Sequence, residues 1–173
     1  MNKTKTLVLL ALLMAIHVIL SMFFIQVADN LRIYFTYVVV IIIAMMFKPS
    51  IAITYAFVED LVAFFLFPTG PFFMGYTLSA IVSMCIYSFF LKDSVNIKRI
   101  FVAKLLVNIL SNVALGSLWS AMLYSKGYWY YLTTSAVKNV VLLPFEVIII
   151  ITFLHLVTPK LFKMGLIKER QVI

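Results

Sequence analysis

Six apolar runs set the limits on what this sequence can fold into. They fall near Thr4 to Ile25, Phe35 to Phe47, Ser50 to Phe67, Phe73 to Leu91, Ile100 to Leu123 and Tyr131 to Val157. Crossing roughly 30 Å of hydrocarbon as a helix takes about 17 to 25 apolar residues. In lipid, every backbone N–H and C=O must be satisfied within the segment. With 65% of the chain hydrophobic and only 12% charged, against about 25% charged in a soluble domain, the bilayer is its main solvent. The expected fold is an all-α membrane protein, a compact bundle of six transmembrane helices formed by residues 1–173 as a single integral membrane domain. The second run is short, about 20 Å at 1.5 Å per residue, and is expected to be buried among its neighbours.

Breakers support these boundaries. Pro49 follows Lys48, the stretch Phe67-Pro68-Thr69-Gly70-Pro71 cannot stay helical, and Lys126-Gly127 interrupts the fifth connection. Pro144 lies inside the last span and is expected to kink it. Orientation follows from the basic residues. With six crossings, Lys3, Lys5, Lys48, Lys92, Lys98 and Arg99 share one side with Lys160, Lys163, Lys168 and Arg170, while Arg32, Lys126 and Lys138 fall on the other half. The positive-inside rule therefore puts both termini in the cytoplasm. Met1 to Thr6 has the charge of a signal-peptide n-region, but no small-residue cleavage site follows, so the first helix is expected to be retained.

The same features exclude several function classes. Cys85 is the only cysteine, so no disulfide can form within the chain. The 14 Lys and Arg against 6 Asp and Glu sit at the ends of apolar runs and not on a water-facing surface, which argues against nucleic acid. His17 and His155 stand singly on apolar helices, read as packed histidines, and no metal site is expected. No phosphate-binding Gly-rich loop, G-x-S-x-G elbow or H-E-x-x-H occurs, so neither ATP hydrolysis nor hydrolytic chemistry can be assigned.

Charge inside hydrocarbon costs about 2.5 to 3.5 kcal/mol on insertion scales, so the polar groups that remain need a reason. Counted along their helices, Asp60 lies about 15 Å and Asn112 about 18 Å from the cytoplasmic surface, with Lys138 and Asn139 about 10 to 12 Å below the outer one. A carboxylate, carboxamides and an ammonium at one depth on separate helices suit a polar pocket within a bundle. The alternative is a structural Asp60–Lys138 ion pair with the asparagines as interhelical hydrogen bonds. Arg32, Tyr34, Tyr37, Tyr76 and Trp119, together with Tyr124 and Tyr128 to Tyr131, crowd the external side. An ordinary aromatic belt would mark both surfaces, so this one-sided cluster favours an external mouth lined for a planar ligand. Glu59 neighbours Asp60, but adjacent helical residues point about 100° apart, and Asp60 is preferred. Glu146 serves equally well to stabilise the Pro144 kink or an interhelical hydrogen bond and is left unassigned.

Ala11 and Ala15 on the first helix, and Ala52 and Ala56 on the third, repeat the small-x-x-x-small spacing that lets helices approach closely. Length, six spans, a basic N-terminus and Ala11-x-x-x-Ala15 resemble the substrate-binding S components of energy-coupling factor (ECF) vitamin transporters, over the whole chain. Leu31-Arg32-Ile33, Phe67-Pro68-Thr69-Gly70-Pro71-Phe72-Phe73, Gly75-Tyr76-Thr77-Leu78-Ser79, Leu118-Trp119, Lys138-Asn139 and Leu143-Pro144 resemble the folate-specific kind.

The resemblance implies a bacterial plasma-membrane protein without catalytic activity or cofactor. Such a protein captures folate outside, docks on a membrane-embedded coupling subunit driven by two ATPase subunits, and topples to deliver the vitamin inward. It points to Arg32, Tyr76, Thr77, Trp119, Lys138 and Asn139 as ligand-binding residues, to Phe67 through Pro71 as a gate loop, and to Ala11 and Ala15 as the docking face. Ala52, Ala56 and Ala63 stand where the family commonly has more glycine. Folate's two tail carboxylates call for Arg32 and Lys126, its rings for Tyr76 and Trp119, and its pterin edge for Asp60, Asn112 or Asn139. The competing readings are an S component for another vitamin or pterin-like compound, a stand-alone permease, or an intramembrane enzyme.

Overall fold

The computed structural model describes residues 3–28, 31–67 and 72–172, the side chains of residues 26–28 and 31–32 excepted. The chain forms α1 (Lys3–Met22), a hairpin of β1 (Phe24–Ala28) and β2 (Leu31–Tyr34), α2 (Tyr37–Met46), α3 (Pro49–Leu66) and α4 (Met74–Leu91). Next, α5 (Ile97–Val107) runs through a π-helical segment (Asn108–Leu115) directly into α6 (Gly116–Leu123), and α7 (Tyr128–Lys163) and a 3-10 turn (Glu169–Gln171) follow. The helices α1, α3, α4, the composite 97–123 and α7 are each long and apolar enough to cross a membrane. With the shorter α2 they make the six spans expected.

Burial of α2 follows from its sequence. Tyr-Val-Val-Val-Ile-Ile-Ile-Ala-Met-Met is apolar all round, and such a helix has no face to offer water. Eight of its ten residues are buried, against α4 above all. The apolar core gathers at the cytoplasmic end: Met45, Leu91, Ile100 and Leu154 are all nearly inaccessible. Ala52 and Ala56 of α3 are buried in this packing, whereas Ala11 and Ala15 of α1 are exposed. The two alanine pairs, alike in sequence, therefore face different surroundings.

Two helix ends differ from expectation. The first helix stops at Met22 and not Ile25, because Phe24 onward pairs antiparallel with β2: Phe24 opposes Tyr34 and Ile25 opposes Ile33, with a register shift between Gln26 and Ala28. The helix of the last span, expected to end at Val157, continues past Pro159 to Lys163. At 36 residues it is about 54 Å long, so its cytoplasmic end stands clear of the hydrocarbon. It ends where Gly165 adopts φ +66°, with Leu166 N–H donating to Leu161 O (3.0 Å) and Gly165 N–H to Phe162 O (2.8 Å). This Schellman arrangement needs a left-handed residue that glycine supplies without strain.

The turn sends the chain back beneath the bundle. There the buried Gln171 amide donates to Met45 O (2.9 Å) and Lys92 O (2.6 Å). Those carbonyls end α2 and α4, which have no further helical donors to satisfy them. The ends of α2, α4 and α7 thus lie on one side, the side carrying Lys92, Lys160, Lys163 and Lys168, which is the cytoplasmic side by its charge.

Candidate ligand-binding cavity

With the core packed into the cytoplasmic half, the outer half encloses a cavity of about 560 Å³, within the range of about 300 to 1,000 Å³ usual for small-molecule sites. Its lining runs from Tyr55, Tyr87 and Lys104 at the floor to Tyr34, Phe67 and Tyr124 at the outer ends of their elements. It is a cup that opens outward.

Two polar clusters line it. On the first, Glu59 Oε1 meets His17 Nε2 at 2.9 Å, and Asp60 Oδ2 accepts the Thr77 hydroxyl at 2.6 Å. Consecutive residues 59 and 60 thus both border the cup: Glu59 is engaged by the first helix and Asp60 by the fourth. His17, expected to be simply packed, has a carboxylate partner. On the second cluster, Lys104 Nζ pairs with Glu146 Oε1 at 3.1 Å and lies 4.4 Å from the centroid of the Tyr37 ring. Asn108 Nδ2 donates to Glu146 Oε2 (3.0 Å), and Asn112 Nδ2 donates to both Asn108 Oδ1 (3.0 Å) and Asn139 Oδ1 (3.2 Å). Asn108, Ser111 and Asn112 all belong to the π-helical segment, a geometry that is rare and concentrated at functional sites.

Lys138 borders the same cup, and among the described residues no carboxylate, carbonyl or hydroxyl pairs with it. It is not joined to Asp60, so the structural ion pair is ruled out. Glu146 acts on it only from beyond ion-pair distance, and an ammonium held at this depth without a direct partner is expensive unless something in the cup answers it.

The aromatic residues divide. Tyr34, Tyr37, Tyr76, Tyr124 and Tyr131 border the cup, whereas Trp129 and Tyr130 are exposed on the outside of the bundle and suit a membrane-interface belt. Lys126 sits with them: its ammonium lies 4.3 Å from the Tyr130 ring and donates to the Tyr130 hydroxyl at 3.0 Å, away from the cup lining. Two expected lining residues stand one layer back. Thr77 is 2% exposed and acts on Asp60. Trp119 packs on Phe73 with ring centroids 5.5 Å apart and donates its Nε1–H to Ser79 Oγ at 2.9 Å, while Phe73 and Ser79 themselves form the wall. Of the expected gate, Phe67 borders the cup; Pro68, Thr69, Gly70 and Pro71 lie outside the described residues, as does the Arg32 side chain.

Sequence reasoning missed Lys104, and with it the purpose of Glu146. It also missed the roles of Asn108 and Phe73. The available signal was that Lys104 and Glu146 both lie within apolar spans.

Close packing behind the wall depends on Gly75. A Cβ there would run into the Phe73 ring and lie 2.6 Å from Trp119 Cδ2. Gly75→Ala is therefore expected to displace both rings, with an overpacking cost of about 1 to 3 kcal/mol. Trp119 emission should shift and the melting temperature fall; unchanged values of both would mean the rings have room.

A helical bundle in the bilayer with an outward cup of mixed aromatic and charged lining defines a membrane-embedded ligand-binding protein. The chain belongs to the family described as ECF-type riboflavin transporter, S component, whose sequence model matches residues 1–159. Its members are transporter components and not enzymes, and the chain is a multi-pass protein of the bacterial cell membrane. Among curated relatives, it is 28% identical over 151 residues to the folate transporter FolT of Clostridium novyi (strain NT), covering 87% of this chain and 88% of that protein. It is 32% identical over 152 residues to FolT of Leuconostoc mesenteroides subsp. mesenteroides, covering 83% and 81% respectively. Among solved structures, FolT bound with folic acid superposes with a TM-score of 0.78 at 33% identity, over 85% of this chain and 90% of that one.

Proposed function

We propose that this protein captures folate from outside the cell as the S component of an ATP-driven ECF importer, docks on a membrane-embedded coupling subunit worked by two ATPase subunits, and topples to release the vitamin inward. The observation that carries this reading is the pairing, in one outward cup, of a carboxylate (Asp60) and an ammonium (Lys138) that do not neutralise one another. A pterin's lactam edge offers the complement of both: adjacent N–H donors for Asp60 and the exocyclic 4-oxo oxygen for Lys138. Tyr76 and the neighbouring aromatics supply faces for the rings, and the glutamyl carboxylates reach the mouth, where Arg32 belongs to β2. Phe67 to Pro71 is the proposed gate. The likeness to FolT in sequence and fold supports the choice of vitamin.

Riboflavin is the rival, because the matched family carries its name. Riboflavin has a lactam ring but neither a 2-amino group nor a carboxylate tail. Calorimetry on purified protein separates the two. Saturable heat with folate, and none with riboflavin or thiamin at the same concentration, is expected; the reverse pattern moves the assignment to riboflavin. Vesicles holding this protein without ATPase partners are expected to show no net folate uptake, and steady uptake there would make it a stand-alone permease.

The exposed Ala11–Ala15 stripe, flanked by Val8, Leu12 and Ile19 that are also exposed, is the proposed docking face, since small residues allow helix backbones to approach in lipid. Ala15→Trp is expected to leave folate affinity within about twofold while abolishing copurification with the coupling subunit. Undiminished copurification would move the docking face elsewhere.

A further inference from the structure

We propose that the buried Lys104–Glu146 pair fixes the direction of a chain of side-chain amides so that Asn112 meets the ligand only as a hydrogen-bond acceptor, which makes Lys104 and Glu146 positioning residues for specificity. This rests on the proposed folate reading for the identity of the ligand and on the geometry alone for the direction of the chain.

The direction follows from which groups cannot donate. The Glu146 carboxylate accepts only, and with Lys104 already on Oε1 (3.1 Å), Asn108 must turn its NH2 toward Oε2 (3.0 Å). That leaves Asn108 Oδ1 facing Asn112, which must therefore donate (3.0 Å). The other end is pinned independently. Ser135 O is a backbone carbonyl, so Asn139 turns its NH2 to it (2.8 Å) and presents its oxygen to Asn112 (3.2 Å). Asn112 thus spends both hydrogens of one amide on two oxygens, and the atom left over is Oδ1. Asn112 is exposed and borders the cup, so that oxygen is what the ligand meets. Asn139, by contrast, has its oxygen committed.

Together, Asp60 and Asn112 turn acceptors toward the cup, and Lys138 is the donor. A 2-amino-4-oxo pterin matches this arrangement, its amino group having one hydrogen for each acceptor. A ligand that turns an acceptor toward Asn112 meets oxygen against oxygen, and a buried unpaired acceptor is penalised in full. Asn112 is then one source of discrimination between a pterin and a ring system lacking the amino group.

The test is a cycle of four proteins: the wild type, Asn112→Asp, Lys104→Met/Glu146→Gln, and the triple variant. In an otherwise wild-type chain, the carboxylate introduced by Asn112→Asp would face two fixed oxygens. Folate affinity should fall on the order of tenfold or more and the melting temperature should drop. In the Lys104→Met/Glu146→Gln background no charge of the pair is left uncompensated, and the amide introduced by Glu146→Gln can donate to Asn108. Asn108 is then free to turn its own NH2 toward the new carboxylate. There the same substitution, opposed only by the Asn139 oxygen that Ser135 O still pins, should cost at least about threefold less than in the wild-type background. Equal losses in both backgrounds would overturn the fixed direction. The ligand-facing half is tested with Asn112→Leu, which should narrow the preference for folate over its 2-desamino analogue on the order of tenfold; an unchanged preference would overturn that half. If the wild type fails to bind folate, the proposed vitamin is wrong, and the melting temperatures of the four proteins still decide the direction of the chain.

Discussion

Asp60→Asn is expected to weaken folate binding on the order of 100-fold while leaving the fold intact, the largest effect on affinity of any single substitution in the cup. One oxygen of the carboxylate accepts the Thr77 hydroxyl at 2.6 Å, and the other is left for the ligand. An asparagine has a single acceptor to share between these two tasks. If it keeps Thr77, its NH2 points at the pterin's N–H donors; if it turns round, the Thr77 hydroxyl loses its acceptor. Either orientation also removes the charge that strengthens the bond. Because Asp60 borders the cavity and not the packed core, stability should change little. Calorimetric titration with a parallel thermal melt makes the comparison. Affinity within about threefold of wild type would remove Asp60 from ligand recognition.

The largest effect on stability belongs to Lys104→Met. Lys104 is 2% exposed and Glu146 8%, so removing the ammonium leaves a carboxylate in a low-dielectric interior whose one remaining direct partner among the described residues is the Asn108 amide. Breaking a buried pair by deleting one partner costs about 3 to 5 kcal/mol. Neutralising both, as in Lys104→Met/Glu146→Gln, should recover most of that, because the cost lies in the uncompensated charge and not in the lost attraction. Equilibrium unfolding in detergent is the measurement. A double variant as unstable as the single one would show that Lys104 contributes by packing, its stem filling space beside Tyr37.

The spans could be read from the sequence because bilayer thickness imposes a length that hydropathy reports directly. The hairpin could not, since Phe24-Ile25 prolongs the apolar run of α1 without a break. Its signal was the strand-forming pair of segments, Phe24-Ile25-Gln26-Val27 and Leu31-Arg32-Ile33-Tyr34, separated by the turn-type residues Asp29-Asn30. For the site, counting residues gave depth, and depth brought Asp60, Asn112, Lys138 and Asn139 correctly to one cavity. Depth does not say which side of a wall a residue takes, which is why Thr77 and Trp119 proved to be one layer behind it. Lys104 escaped notice for a different reason. It follows Lys98 and Arg99 within one helix and looks like another lysine at a cytoplasmic helix end, and its partner Glu146 comes from a distant span.

Gly75 and Gln171 illustrate how side chains that touch no ligand hold the cup in shape. The first leaves room for Phe73 and Trp119 to meet. The second ties the cytoplasmic ends of α2 and α4 to the chain that follows α7. Gly75 thus shapes the outer wall of the cup, and Gln171 closes the base of the bundle.

The most direct measurement is a structure of this protein crystallised with folate, at a resolution that orients the pterin. The ring system is expected inside the cup, with its N–H edge on Asp60, its 4-oxo oxygen within hydrogen-bond reach of Lys138 Nζ, and the glutamyl tail toward the outer mouth. Folate bound elsewhere on the bundle, or Asp60 and Lys138 turned to each other across an empty cup, would contradict this arrangement.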